Sequence, residues 1–253
     1  MNLTILGSGC GVPSLERQAP GILLKIDKEP FLFDSGPGTL VRLLKAGVHY
    51  SSLNHVFYTH THSDHSGDLV PFIQALRYTP GYKRTNPLTL YGPIGFSDFL
   101  LTLSEAYGKW VISPDFPLLI RELNHDIVSF QNFKIQSLPM QHGKAAIAYR
   151  IEKSGEGSIV YSGDTAYNSE IIELAHDANI LILECSFTEA QKVEGHLTPG
   201  EAALIAAKAN CQHLILTHFY PPYEELIREI QETVPNFFTG KLTIAQDFLT
   251  LSV

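Results

Sequence analysis

The sequence predicts an α/β protein built as two β-sheets packed face to face, with helices on their outer sides. Strand-like runs occur in two series, and each series closes in helical segments. Some of the later runs are apolar without alternation, the pattern of strands covered on both faces. A chain of 253 residues with 44% hydrophobic content is long enough for one sizeable core, so a single domain over residues 1–253 is expected.

Short strands are expected at residues 3–6, 21–26 and 31–33, where apolar runs are bounded by turn-forming residues. The stretch 38–46 reads as a helix, with Leu40, Val41, Leu43 and Leu44 as its apolar positions and Gly47 as its stop signal. A strand follows at 56–59. Helices are expected at 68–78 and 94–107, separated by a strand at 88–91 and a break at Gly92-Pro93. Residues 127–130, 133–137, 146–151 and 158–162 return to strand character. Helices at 168–176, 199–209 and 223–233 close the chain, interleaved with the buried-looking strands 180–183 and 214–216. No low-complexity tract, linker or short repeat interrupts this pattern, and the two halves show no self-similarity in sequence.

No run approaches the roughly 18 unbroken apolar residues of a membrane span. Met1, Asn2 and Leu3 lead directly into a strand-like segment instead of a basic leader with a hydrophobic region, so a cytoplasmic protein without membrane contact is expected. Cys10, Cys185 and Cys211 are an odd, widely spread set that gives no disulfide framework and fits a reducing compartment. They read as small buried residues, with Cys10 in a glycine-rich loop that can border a site. The formal net charge is −8 and the basic residues are scattered, Lys83-Arg84 being their only adjacent pair, which argues against a broad nucleic-acid surface.

Thr59 to His65 reads T-H-T-H-S-D-H and ends the apolar run Val56-Phe57-Tyr58. In an extended segment residues two apart point the same way, so His60 and His62 can face one ion, while Asp64 and His65, past the strand end, can turn toward a second. Divalent cations such as zinc take N and O ligands of this kind. A site with no cysteine ligand and open positions is typical of catalysis rather than of structural zinc. Further candidates end other apolar runs: His142 in L-P-M-Q-H-G, Asp164 in I-V-Y-S-G-D-T and His218 in L-I-L-T-H-F. His196 in E-G-H-L-T-P brings six of the eleven histidines into one constellation with Asp64 and Asp164. Loops at one edge of a two-sheet fold can gather such residues. His49, His55, His125, His176 and His213 have no partner spacing and read as structural or exposed.

The order and surroundings of these residues resemble the metallo-β-lactamase fold hydrolases, and within them the ribonuclease Z-like branch. The opening L-G-S-G-C-G-V-P-S, F-L-F-D-S-G around Asp34, S-G-D-T, G-H-L-T and L-T-H-F occur in that family's order over nearly the whole chain. The resemblance implies the αββα four-layer sandwich and two divalent metal ions, zinc by default, with manganese or iron compatible with a mixed His and carboxylate set. It also implies the ligand sets: His60, His62 and His142 for one ion, Asp64, His65 and His218 for the other, and Asp164 as the bridge. Asp34 is expected behind the ligands, accepting the free N–H of a ligating histidine, with Gly36 and Gly38 permitting a tight turn; a turn-forming Asp is the alternative. Two cations about 3.5 to 4 Å apart can hold a hydroxide between them and aim it at the phosphorus of a phosphodiester. Charge building on the non-bridging oxygens is then stabilised more in the transition state than in the ground state. Asp64 and His196 are assigned to the chemistry, with His196 contacting the phosphate and protonating the leaving oxygen; a loop-capping surface histidine is its alternative. Tyr167, Phe187, Phe219, Tyr220 and Tyr223 lie near site residues and are open to base stacking, core packing or interface use.

Between His142 and Asp164, residues 143–163 are used up by a strand, a turn at 153–157 and a returning strand. Relatives that trim the 3′ end of transfer RNA carry a long protruding arm in this interval, and none fits here. The compact site and acidic surface point to a small phosphodiester, with a cyclic nucleotide leading. The alternative is an endoribonuclease acting on tRNA 3′ ends, binding RNA through other loops such as 78–85 with Lys83 and Arg84. A lactonase, thioesterase or β-lactamase shares the metal cluster but does not ask for His196, and a non-catalytic scaffold is expected to have lost a ligand. Family members often pair, so a homodimer is expected, with Phe219-Tyr220-Pro221-Pro222-Tyr223 as a candidate contact.

Overall fold

The computed structural model describes residues 1–253. Its first half contains β1 (Asn2–Gly7), β2 (Gly21–Ile26), β3 (Glu29–Phe33), α1 (Thr39–Lys45), β4 (His55–Phe57), α2 (Ser63–Ser66), α3 (Leu69–Tyr78), β5 (Leu88–Pro93), α4 (Phe96–Tyr107) and β6 (Leu118–Leu123). The second half contains β7 (Asp126–Ser129), β8 (Phe133–Met140), β9 (Ala146–Lys153), β10 (Gly157–Tyr161), α5 (Ser169–Leu174), β11 (Ile180–Glu184), α6 (Pro199–Lys208), β12 (His213–Thr217), α7 (Glu224–Thr233), β13 (Lys241–Ile244) and β14 (Thr250–Ser252).

Two seven-stranded sheets result, ordered β14-β1-β2-β3-β4-β5-β6 and β13-β12-β11-β10-β9-β8-β7. Each follows the same scheme, three antiparallel pairings and then three parallel ones, with the switch at β3 in the first sheet and at β10 in the second. The duplication lies in backbone pairing, which is why no repeated residues announce it.

Alternation along the strands assigns the layers. Ile22, Leu24, Ile26, Phe31 and Phe33 belong to a buried cluster of 47 residues that extends into the second sheet, whereas Leu23 and Leu32 join a cluster of 19 with residues of α1, α3 and α4. Both faces of these strands are therefore covered, so they read as continuous apolar runs. Rings close the seam between the sheets. Phe57 stacks on Tyr91 at 4.1 Å, and Phe33 and Phe57 meet Tyr149 of β9 edge-on at 5.5 and 5.4 Å. The Tyr149 hydroxyl donates to the Tyr58 carbonyl at 2.8 Å. On the far side, α5, α6 and α7 contribute Ile171, Leu174, Ala202, Ile205, Leu226 and Ile230 to the larger cluster. The αββα order expected from the sequence is the order found.

Helix starts follow local chemistry. Thr198 and Glu201 form a capping box ahead of α6, with Pro199 in its first turn. The Asn168 side chain accepts from the Ile171 N–H at 2.9 Å to open α5.

Three features differ from the sequence reading. β6, β13 and β14 are not anticipated; each is a partly exposed strand at a sheet edge, where neither a long apolar run nor strict alternation is demanded. Gly92 and Pro93 do not break the chain but continue β5, paired with Glu122 and Leu123. Gly92 serves close packing, since a Cβ there would lie 2.3 Å from the Phe96 ring. The strand placed at 56–59 ends at Phe57, because the Thr59 N–H is taken by the Asp34 carboxylate at 2.7 Å. No helix is long and apolar enough to cross a membrane.

The ring seam sets an expected stability contrast. Phe57→Ala removes a fully buried ring and should cost about 3–5 kcal/mol. Leu15→Ala, at a side chain 96% exposed, should stay within about 0.5 kcal/mol. Urea unfolding of the two variants checks this; equal losses would contradict the assigned seam.

Candidate metal centre

The candidate side chains sit on loops just beyond strand ends. Asp34 follows β3, His60 to His65 follow β4, His142 follows β8, Asp164 follows β10 and His218 follows β12, while Glu184 is the last residue of β11. Apart from β8, these strands belong to the parallel parts of the two sheets, whose C-terminal ends emerge along one edge in each sheet. The T-H-T-H-S-D-H stretch does not stay extended; it leaves the sheet after Phe57 and turns into α2, which carries Asp64 and His65. Glycines let the loops close. A Cβ on Gly163 would fall 2.5 Å from the Thr59 Cβ, and one on Gly36 would fall 1.9 Å from the Asp64 carbonyl oxygen.

Two donor sets converge there. In the first, His62 Nδ1 lies 3.1 Å from His60 Nε2 and 3.0 Å from His142 Nε2, and Asp164 Oδ2 lies 3.7 Å from each of those two Nε2 atoms. In the second, His218 Nε2 lies 3.3 Å from His65 Nε2, from Asp64 Oδ2 and from Asp164 Oδ1. Donors bound to one tetrahedral cation at about 2.0–2.2 Å stand about 3.3 Å apart, so both sets have the spacing of a divalent site. The two oxygens of Asp164 face different sets.

Asp164 supplies an independent test of fit. Its Oδ1 is buried and has no hydrogen-bond donor, a costly state for a carboxylate oxygen unless a cation answers it. Burial works to raise the Asp164 pKa, but His218 and His65 beside it prevail and hold it well below the usual carboxylate range. Burial and then the neighbouring His65 push His60 well below the ordinary imidazole value, which leaves it neutral and able to donate a lone pair. For His65, burial opposes protonation while Asp164 and Asp34 raise its pKa well above normal; a cation in that position takes the place of the proton. The residues present fit two divalent cations.

Outer contacts aim the rings. His65 Nδ1 donates to Asp34 Oδ2 at 2.8 Å, His142 Nδ1 donates to the Gly195 carbonyl at 2.8 Å, His218 Nδ1 meets Ser186 Oγ at 2.9 Å and His60 Nδ1 meets Thr59 Oγ1 at 3.0 Å. Each contact fixes a tautomer whose other nitrogen faces the centre. Asp34, in a left-handed backbone conformation with φ 57°, also accepts from the Thr59 hydroxyl at 2.9 Å and from the Tyr161 hydroxyl at 2.8 Å.

His196 stands beside both sets, its ring 4.9 Å from His142 and 5.8 Å from His218 between centroids. Its Nδ1 lies 2.8 Å from Glu184 Oε1. Glu184 is fully buried and also accepts from Thr165 N, Leu197 N and the Ser186 hydroxyl at 3.0, 3.2 and 2.7 Å. Burial disfavours the charged form of His196, but its bond to Glu184 prevails and raises its pKa. Sequence reasoning missed Glu184 and Tyr161. For Glu184 a signal existed, a single acid closing the apolar run I-L-I-L-E as Asp164 follows I-V-Y; for Tyr161 nothing distinguishes a donor from a core ring.

Other candidates lie elsewhere. His49 bonds Ser51, His55 stacks on Phe31, His176 faces Asp177 and His213 bonds Thr243. The three cysteines are free and buried; burial pushes the Cys10 thiol up to about 12, although it lines a cavity of about 140 Å³ with Asp64 and Arg17. Of the aromatics, Phe187 and Tyr220 stack at 4.8 Å beside His196. Phe219 and Tyr223 instead pack against the Arg17 guanidinium, and the Tyr167 hydroxyl accepts from Lys208.

Comparison with known proteins agrees with this geometry. Residues 30–219 match the family model described as a beta-lactamase superfamily domain. A ribonuclease Z of Archaeoglobus fulgidus is 28% identical over 305 aligned positions covering 99% of this chain and 97% of that protein. A ribonuclease Z of Streptomyces avermitilis is 30% identical, covering 99% and 97%. The crystal structure of the metallo-beta-lactamase fold protein YhfI from Bacillus subtilis superposes with a TM-score of 0.85 at 24% identity, covering 100% and 99% of the two chains.

Because Asp34 orients His65, Asp34→Ala should weaken metal affinity by roughly 10- to 100-fold. Competition against a chromophoric chelator measures this, and unchanged affinity would remove Asp34 from the supporting shell.

Proposed function

This chain belongs to the beta-lactamase superfamily, as a ribonuclease Z-like metallo-β-lactamase fold hydrolase, and on that premise we propose that it is a binuclear metal-dependent phosphodiesterase acting on a small phosphodiester, with a cyclic nucleotide as the leading substrate. The observation that carries the reading is the buried Asp164 carboxylate, whose two oxygens face two separate donor sets. His60, His62 and His142 would hold one cation and Asp64, His65 and His218 the other, with the two oxygens of Asp164 facing both sets. When bound, the cations, zinc by default, neutralise charge on the phosphoryl oxygens and acidify water.

The chain's own groups do the rest. Glu184 engages Nδ1 of His196 and stabilises its charged form, which leaves Nε2 to contact the phosphate and deliver a proton to the leaving oxygen. Asp64, less enclosed than Asp164, takes the proton of the attacking water. The stacked Phe187 and Tyr220 beside His196 offer a platform for a base.

Substrate size is read from the hairpin of β9 and β10, which closes with Lys153 opposite Gly157 and leaves no space for an arm between His142 and Asp164. The 305 positions aligned with the Archaeoglobus relative exceed the 253 residues of this chain, so that relative carries segments this one lacks. A second reading, an endoribonuclease acting on tRNA 3′ ends, is favoured by the name ribonuclease Z on relatives matched over 97% of their length. The loop suggested for RNA contact serves that reading poorly, because Arg84 is buried and bonded to Asn54, Asn86 and Pro87. A cytoplasmic homodimer completes the proposal.

Cyclic mononucleotides assayed beside a precursor tRNA separate the two readings: turnover of the former alone is expected, and cleavage of the tRNA alone would establish the second. His196→Ala should lower turnover by about 10²- to 10⁴-fold while metal content, read by elemental analysis, stays at the wild-type level. Loss of metal in that variant would instead make His196 a ligand.

A further inference from the structure

A hollow of about 540 Å³ opens beside the first donor set, between the turn that follows β5 and the turn that follows β8. Ile94 and Gly95 form one wall, Gly143 and Lys144 the other, and His60 and His62 reach it from the centre. No Asp or Glu lines it, although acidic residues outnumber basic ones 26 to 18 in the chain. Lys144 also lines a second hollow of about 580 Å³ that shares His142 and Gly143 and includes Glu194, and it is the only Lys or Arg in either lining. The turn that carries it runs close to the centre, since a Cβ on Gly143 would lie 3.6 Å from His62 Nε2. Lys144 is exposed, and, like most lysines of the chain and unlike Lys134, Lys153 and Lys192, it pairs with no carboxylate.

A phosphodiester carries one negative charge, and two divalent cations already exceed it. A further positive group that lines the same hollow without belonging to either donor set answers a second anion on the substrate. We propose that this hollow is a substrate subsite for a phosphomonoester, with Lys144 as its counter-cation, so that the preferred substrate is a small nucleotide bearing a second phosphate besides the scissile diester. The proposal rests on the phosphodiesterase reading and narrows its substrate class.

The test uses the metal-loaded protein and a matched pair, thymidine 5′-(p-nitrophenyl phosphate) with and without a 3′-phosphate, which share one scissile bond. Wild type should favour the 3′-phosphorylated compound by roughly fivefold in kcat/KM, and added salt should shrink that preference. Lys144→Ala should bring the ratio to about one, and Lys144→Arg should keep most of it. Equal kcat/KM for the two compounds in wild type, or a preference that survives Lys144→Ala, overturns the subsite and leaves the phosphodiesterase reading standing. Hydrolysis of neither compound counts against the phosphodiesterase reading, and calorimetry then decides the subsite. Tighter binding of thymidine 3′,5′-bisphosphate than of thymidine 5′-monophosphate, lost in Lys144→Ala, upholds it; equal binding of the two overturns it.

Discussion

A buried carboxylate oxygen that no donor reaches sets the terms for this protein. Asp164 Oδ1 lies inside the molecule without a hydrogen bond, and two imidazoles at 3.3 Å present ring nitrogens toward it. Leaving a charge in that state costs several kcal/mol. Positive charge must be supplied at the centre, by protons on the histidines or by cations, and the outer contacts of His60, His142 and His218 turn lone pairs inward instead of N–H groups. The fold meets this demand by ending its parallel strands at one rim, so that residues far apart in sequence approach within a few ångströms.

Two further buried carboxylates give the rim its rigidity, one from each sheet. Asp34 follows β3 and gathers Thr59, Tyr161 and His65. Glu184 closes β11 and gathers Thr165, Leu197, Ser186 and His196. Each collects several donors and aims one histidine. The parallel extends the shared pairing scheme of the sheets to their chemistry: one half positions a candidate ligand, the other a candidate proton donor. Ser186 links Glu184 to the second donor set, since its hydroxyl touches both Glu184 and His218.

The sequence made the centre legible because its chemistry is written in rare residues at strand ends. His60, His62, Asp64, His65, His142, Asp164 and His218 stand out against apolar runs, and the structure brings all seven together with His196. Supporting residues were harder to see. Tyr161 is indistinguishable from the core rings around it until its hydroxyl is placed against Asp34, and Arg84 reads as a surface cation until Asn54, Asn86 and Pro87 enclose it. The edge strands β6, β13 and β14 went unseen for a related reason: one neighbour and one covered face impose too little pattern on short segments. Gly92-Pro93 misled because the pair commonly signals a turn, whereas here the missing Cβ admits the Phe96 ring.

Counting ions per chain tests the bridged centre most directly. Elemental analysis of metal-reconstituted, desalted protein should find two divalent cations per chain in the wild type and fewer in Asp164→Ala, with the folded state of the variant verified by circular dichroism. One ion or none in the wild type, or two retained without the Asp164 carboxylate, would contradict the assignment of that carboxylate as the bridge.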